Sequence, residues 1–190
     1  QYFVSDLNPT VSWDPNSCKN CPVGQYQNEE GQWKAFNTSS QDQNFRCKSC
    51  PVGFYQNQLT SSSCDACPSG FYQDELQTTS CKSCPVGFYQ ENLNQTECIQ
   101  CYAGKILNIT ESKFENNCTN CPVGKYEING RTECAECPVG TYNPFEMKYY
   151  ISHCLNCPEG YYGPNLGRHD CIECSIGKFI NNEKQTECKY

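Results

Sequence analysis

The sequence is short of nearly everything that builds a conventional core. Of 190 residues only 31 are Leu, Ile, Val or Phe, about sixteen per cent. That is too few for one apolar interior in a compact domain of this length. Methionine occurs once and histidine twice. No apolar stretch approaches the roughly 20 residues that a membrane-spanning helix requires, so this segment is not expected to insert into a bilayer. Runs of lysine or arginine are also missing, and 14 basic residues face 21 acidic ones for a formal charge of −7. With no basic cluster to neutralise phosphates or anionic headgroups, nucleic acid and membrane surfaces drop out as partners. The chain opens at Gln1 rather than at a methionine, which fits a mature N-terminus left by signal cleavage.

Cysteine is what the sequence has in excess: 19 residues, about ten per cent. At that density a disulfide scaffold is the expectation for an extracellular chain, with cross-links taking over the work of the missing core. Sequons at Asn37, Asn94, Asn108 and Asn117 point to the same compartment. Asn117 is the odd one, because Cys118 occupies the middle of its sequon. Asn and Gln together number 33, a bias that the sequence alone does not explain.

The cysteines are periodic. Nine Cys-x-x-Cys pairs run from Cys18/Cys21 to Cys171/Cys174, and Cys188 follows as the first half of a tenth. From Cys47 the first cysteines step by 17, 17, 17, 20, 16, 20, 17 and 17, whereas the first step is 29. A fixed short period of this kind marks a tandem-repeat architecture. The second cysteine of each pair opens a shared phrase, such as Cys50-Pro51-Val52-Gly53-Phe54-Tyr55-Gln56. Glycine stands three places after that cysteine in all nine copies, and an aromatic two places later in eight, with Ile106 in the fifth. Proline stiffens the turn, glycine permits positive φ or a close approach by a neighbouring disulfide, and the aromatic supplies apolar area against a disulfide or the adjacent repeat. In the sixth copy Asn129-Gly130, flanked by Lys125–Glu127 and Arg131–Glu133, is a hairpin signal.

We therefore expect a small disulfide-rich fold: an elongated tandem-repeat rod with short β-ribbons and little or no helix, each repeat touching mainly its neighbours. Residues 1–17 form an N-terminal arm, 18–46 a first repeat with a long insertion, and 47–190 the tandem repeats of about 17 residues. Two pairing schemes are open. Joining the second cysteine of one pair to the first of the next gives nine bows: Cys21–Cys47, Cys50–Cys64, Cys67–Cys81, Cys84–Cys98, Cys101–Cys118, Cys121–Cys134, Cys137–Cys154, Cys157–Cys171 and Cys174–Cys188. That leaves Cys18 unpaired or free for an intermolecular bond. The rival scheme interlocks successive pairs, first to first and second to second. The bows are preferred.

The phrase Cys-x-x-Cys-Pro-x-Gly-x-Tyr with a loop of about 13 residues resembles the ephrin-receptor-like cysteine-rich repeat. It is similar also to bows in tumour necrosis factor receptor modules and in laminin-type EGF-like modules, the latter best matched by Cys157-Pro158-Glu159-Gly160-Tyr161-Tyr162-Gly163. In those families the bow disulfide joins the positions matched here, so the resemblance implies the bow pairing. Long arrays rich in Asn and Gln further resemble surface proteins of ciliates and other protists.

Other readings of the same residues are weaker. Cys-x-x-Cys is zinc-ligand spacing too, but the sequons imply an oxidising compartment, and no metal or other cofactor is expected beyond N-linked glycans. His153 and His169 lack a G-x-S-x-G or H-E-x-x-H frame, and the six aspartates lack calcium-loop spacing. No enzyme is expected. The leading function is an extracellular structural glycoprotein, a building block of a cell-surface coat or filament. The alternative is the ectodomain of a receptor or adhesion protein that binds a protein ligand. The apolar arm (Tyr2, Phe3, Val4, Val11, Trp13) and the odd Cys18 suit self-association into a polymer or surface array. Tyr149, Tyr150 and Tyr161 are candidate contact residues for either reading.

Overall fold

A computed structural model describes residues 21–28 and 47–190. The N-terminal arm, Cys18 and Asn37 lie outside the described residues. Within these residues every repeat is a closed loop of chain, and eight bows are joined: Cys21–Cys47, Cys50–Cys64, Cys67–Cys81, Cys101–Cys118, Cys121–Cys134, Cys137–Cys154, Cys157–Cys171 and Cys174–Cys188. Cys84 and Cys98 are disulfide-bonded as well. We number the repeats one to nine from Cys21.

In repeats one to eight a strand just after the opening turn pairs antiparallel with a strand at or just past the closing cysteine. These are β1 (Gln25–Tyr26) with β2 (Lys48–Ser49), β3 (Phe54–Tyr55) with β4 (Asp65–Ala66), and β5 (Phe71–Tyr72) with β6 (Lys82–Ser83). There follow β7 (Phe88–Tyr89) with β8 (Ile99–Gln100) and β9 (Lys105–Ile106) with β10 (Thr119–Asn120). The last are β11 (Lys125–Ile128) with β12 (Glu133–Glu136), β13 (Thr141–Tyr142) with β14 (Leu155–Asn156), and β15 (Tyr161–Tyr162) with β16 (Ile172–Glu173). In repeat nine a single bridge, Phe179 to Lys189, replaces the ribbon. Among the described residues there is no α-helix, only single 3₁₀ turns at Glu115–Asn117 and Ile151–His153.

The repeated phrase shows why the ribbon starts where it does. Proline's carbonyl accepts a hydrogen bond from the residue after glycine, as in Phe54 N–H to Pro51 at 3.1 Å. That closes a tight turn with glycine at positive φ, +82° at Gly53. The opening cysteines Cys50, Cys67, Cys101, Cys121, Cys137 and Cys157 are almost fully buried. Sulfur thus occupies the place that leucine holds in an ordinary core.

The Asn129-Gly130 hairpin differs from its expectation. Ile128 pairs with Glu133, so the loop holds four residues rather than two. Asn129, Gly130 and Arg131 all take positive φ. Glu127 and Ile128 both accept the Arg131 N–H, at 3.0 and 3.3 Å, and hold that conformation.

The chain divides into two compact units, Gln1–Ser83 with Asn92–Cys98, and Cys84–Glu91 with Ile99–Tyr190. The same hydrogen-bond ladder links successive repeats inside each. In the first unit Gly53 N–H donates to Gln73 O at 2.7 Å, and Gln56 N–H to Thr78 O at 3.0 Å. Gln77 N–H returns to Cys50 O at 2.9 Å. In the second unit Gly124 N–H donates to Asn143 O at 2.8 Å, Glu127 N–H to Lys148 O at 2.7 Å, and Met147 N–H returns to Cys121 O at 2.9 Å. Repeat six, whose bow is one residue shorter, cannot place its backbone there. The Arg131 guanidinium donates to the Cys101 carbonyl instead.

Beyond these neighbouring contacts, some reach one repeat further. A methyl group on Gly53 would stand 2.3 Å from the carbonyl oxygen of Asn94, two repeats on. On Gly104 it would stand 2.0 Å from that of Met147. The glycine therefore serves a second purpose beyond its turn, and what approaches it there is a carbonyl rather than a disulfide. The approaching residues Gln77, Asn94, Met147 and Lys184 sit in left-handed backbone, with φ between 53° and 60°, and Thr60 and Glu111 take the same conformation at the matching place of their repeats. Such residues cost about 1 to 3 kcal/mol each unless the surroundings hold them, and the returned N–H bond supplies that hold.

Part of the Asn and Gln bias acquires a reason. The residue six places after the opening cysteine is buried as an amide in four repeats, Gln56, Gln73, Gln90 and Asn143, and in repeat one Gln25, two places earlier, is buried. Gln73 Nε2 donates to Ser80 O at 2.7 Å, and its Oε1 accepts Glu75 N–H at 3.0 Å. Gln56 does the same with Ser63 O and Gln58 N–H, both at 2.8 Å. A buried amide is stable only when both ends are bonded. Here it plugs the inside of the bow and ties its two limbs together.

Candidate functional site

Repeat seven departs from its neighbours in length. The Cys137–Cys154 bow spans 17 residues against 14 for Cys67–Cys81. The excess folds as the 3₁₀ turn Ile151–His153, preceded by Tyr150 in extended backbone. His153 N–H donates to Tyr150 O at 3.0 Å. In return Tyr150 N–H donates to His153 Nδ1 at 3.2 Å. The turn lifts its apolar side chains out of the bow. Tyr150 is 63 % exposed, Phe145 59 % and Ile151 58 %, with Met147 and Tyr149 near 40 %.

The rings of Tyr149, Tyr150 and His153 form a platform, and Phe145, Met147 and Ile151 stand exposed on the same bow. The rings of Tyr149 and Tyr150 lie 4.7 Å apart, and His153 lies 5.0 Å from Tyr149 and stacks at 6.1 Å on Tyr150. Lys148 Nζ sits 5.0 Å from the Phe145 ring centre, a cation–π contact at the edge. Repeat five has a bow of equal length and a matching turn, Glu115–Asn117, but carries only Phe114 as an exposed aromatic there. A bare aromatic surface on disulfide-stiffened backbone is suited to holding another macromolecule. It offers no chemistry.

Of the residues singled out by sequence, Tyr149 and Tyr150 meet in this platform, whereas Tyr161 lies on β15 in repeat eight. Phe145, Met147 and Ile151 were missed. The only signal for them was the three-residue lengthening of the bow. His169 is exposed beside Asp170, 3.7 Å away. Among the described residues no three His, Cys, Asp or Glu side chains converge as a metal would need. Asn94 and Asn108 are exposed, while Asn117 is partly buried on the 3₁₀ turn of repeat five.

Among the described residues perturbed ionisation occurs at structural contacts. The Lys82 ammonium, bonded to Asp74 at 2.6 Å and Glu75 at 2.7 Å, holds the Asp74 carboxyl below its ordinary range. Burial of Tyr89 raises its phenol, since the charged form would be desolvated. Tyr89 packs with Leu107, Cys101 and Cys118 in one buried cluster, an aromatic against the next repeat's disulfide.

The geometry defines a class first: a small disulfide-rich tandem repeat of cysteine bows. The family described as tyrosine-protein kinase ephrin type A/B receptor-like matches residues 38–80 and 76–118. Those residues are thus similar to two tandem copies of an ephrin-receptor-like cysteine-rich repeat. Such receptor-like repeats are extracellular modules that make protein–protein contacts and are typically non-enzymatic. No curated protein matches the chain. Among the described residues no helix is long and apolar enough to cross a membrane.

Proposed function

We propose that the chain is an extracellular structural glycoprotein, a building block that self-associates through protein–protein contacts into a surface coat or filament. The platform of Tyr149 and Tyr150, with Phe145 and Ile151 exposed on the same bow, carries this reading, because it exposes aromatic area that the fold of its own repeat does not use. The Tyr89 cluster shows that an aromatic can be buried in this scaffold, so exposure is not forced by the repeat. Enzymatic turnover has no constellation to support it.

A second reading is a receptor or adhesion ectodomain that binds a protein ligand, and the family match across 38–118 favours it. Sedimentation velocity of the oxidised protein separates the two. Self-assembly predicts concentration-dependent growth that Phe145→Ser with Tyr150→Ser abolishes while leaving ribbon hydrogen exchange unchanged. Wild-type protein that stays monomeric at every concentration would defeat the building-block reading and leave the ectodomain.

A further inference from the structure

The three described sequons differ in what their amide nitrogens do. Asn94 lies at a left-handed turn whose backbone is pinned on two sides. Its N–H donates to Cys67 O at 2.9 Å, and its carbonyl abuts Gly53. Its side chain is exposed, and its Oδ1 accepts a weak 3.4 Å bond from Gln95. The Nδ2 atom, the one that glycosylation modifies, has no acceptor among the described residues. Asn108 is exposed just past β9, between exposed Ile109 and the buried Leu107, and its amide has no hydrogen-bond partner among the described residues.

Asn117 is the opposite case. Its Nδ2 donates to Ser112 Oγ at 2.9 Å, and Ser112 is only 2 % exposed. Its backbone N–H is taken by Phe114 O at 3.2 Å inside the 3₁₀ turn. The middle residue of its sequon, Cys118, is buried and closes the Cys101–Cys118 bow. A glycan is bulky and must remain in solvent, yet at Asn117 it would begin where the amide turns inward.

We infer that Asn94 and Asn108 carry N-linked glycans and that Asn117 stays unmodified. This rests on the extracellular reading above and sharpens it, because it names which loops present sugar. Repeats six to nine contain no sequon, so the platform on repeat seven has no sugar attached to its own or adjoining bows.

The test is glycopeptide mass spectrometry on the chain secreted from a glycosylating eukaryotic cell, with peptide N-glycosidase digestion in ¹⁸O water. Label is expected at Asn94 and Asn108 and not at Asn117. Thr96→Ala and Thr110→Ala should each remove one glycan mass from the intact protein, whereas Thr119→Ala should remove none. Label at Asn117 comparable to the other two, or a glycan lost with Thr119→Ala, would overturn the inference. So would bare Asn94 and Asn108 beside an occupied Asn37, a result that leaves the glycoprotein reading standing. A chain without sugar that is rich in free thiols would overturn both.

Discussion

Repeats three and seven use one plan with different lengths, and the difference separates what holds the array from what it displays. Repeat three closes 14 residues, and the long Gln73 side chain spans its own bow to reach Ser80 O. Repeat seven closes 17, and the shorter Asn143 cannot reach the far limb. It turns back to donate to Lys125 O in repeat six at 2.9 Å, while its Oδ1 still accepts a local N–H, from Phe145 at 3.1 Å. The plug moves its partner from within the bow to the preceding repeat. The limb it no longer ties is the one that rises into the 3₁₀ turn and carries the aromatic platform. The insertion is tolerated because it lies between the last ladder residue, Lys148, and the closing Cys154, a stretch whose backbone bonds stay within the turn.

The largest expected effect comes from the disulfides, where both repeats are alike. Removing one bow with Cys67→Ser and Cys81→Ser should cost roughly 3 kcal/mol of local stability, read as lost hydrogen-exchange protection across Phe71–Tyr72 and Lys82–Ser83. Unchanged protection would show that the bow is dispensable.

Next come the glycines that receive a carbonyl from two repeats on. Gly24→Ala meets Gln77 O of repeat three at 2.3 Å, and Gly104→Ala meets Met147 O of repeat seven at 2.0 Å. Each should cost about 2 to 3 kcal/mol, combining left-handed backbone with displacement of a neighbouring chain. Gly177→Ala has the same φ, +85°, but no described atom within 4 Å, and should cost only about 1 kcal/mol. Equal losses in thermal or denaturant unfolding would mean that turn conformation alone sets the cost and that the skipped-repeat contact contributes nothing.

The smallest effect tests the plug itself. Gln73→Ala and Asn143→Ala should each cost about 1 to 3 kcal/mol by leaving buried carbonyl and N–H groups unpaired. The distribution is the sharper readout. Gln73→Ala should loosen its own bow, whereas Asn143→Ala should loosen repeat six as well, around Lys125. Exchange confined to repeat seven in the second variant would contradict the difference in partners.

Much of the ribbon fold was legible because its causes are local. A tight turn needs proline and glycine at fixed offsets from cysteine, so the phrase recurs visibly, and β3, β5 and β7 all begin at the residue after that glycine. The platform was only half legible. Tyr149 and Tyr150 stood out as aromatic, but nothing in the residues themselves says that Phe145 and Ile151 are exposed beside them. That follows from three extra residues coiling into a turn. The buried amides were invisible for a similar reason: Gln56 and Gln73 read as polar surface until their bonding partners are known.

By itself, then, the sequence determined the period, the turn and the replacement of an apolar core by sulfur, because each of these acts within a single loop of chain. Only the tertiary structure decided how repeats address one another. Those contacts join backbone N–H groups to carbonyls, and Thr60, Gln77, Glu111, Met147 and Lys184 fill the same left-handed seat with no side chain in common. Every residue owns the groups that seat uses, so selection of residue type leaves no mark there for a sequence to show.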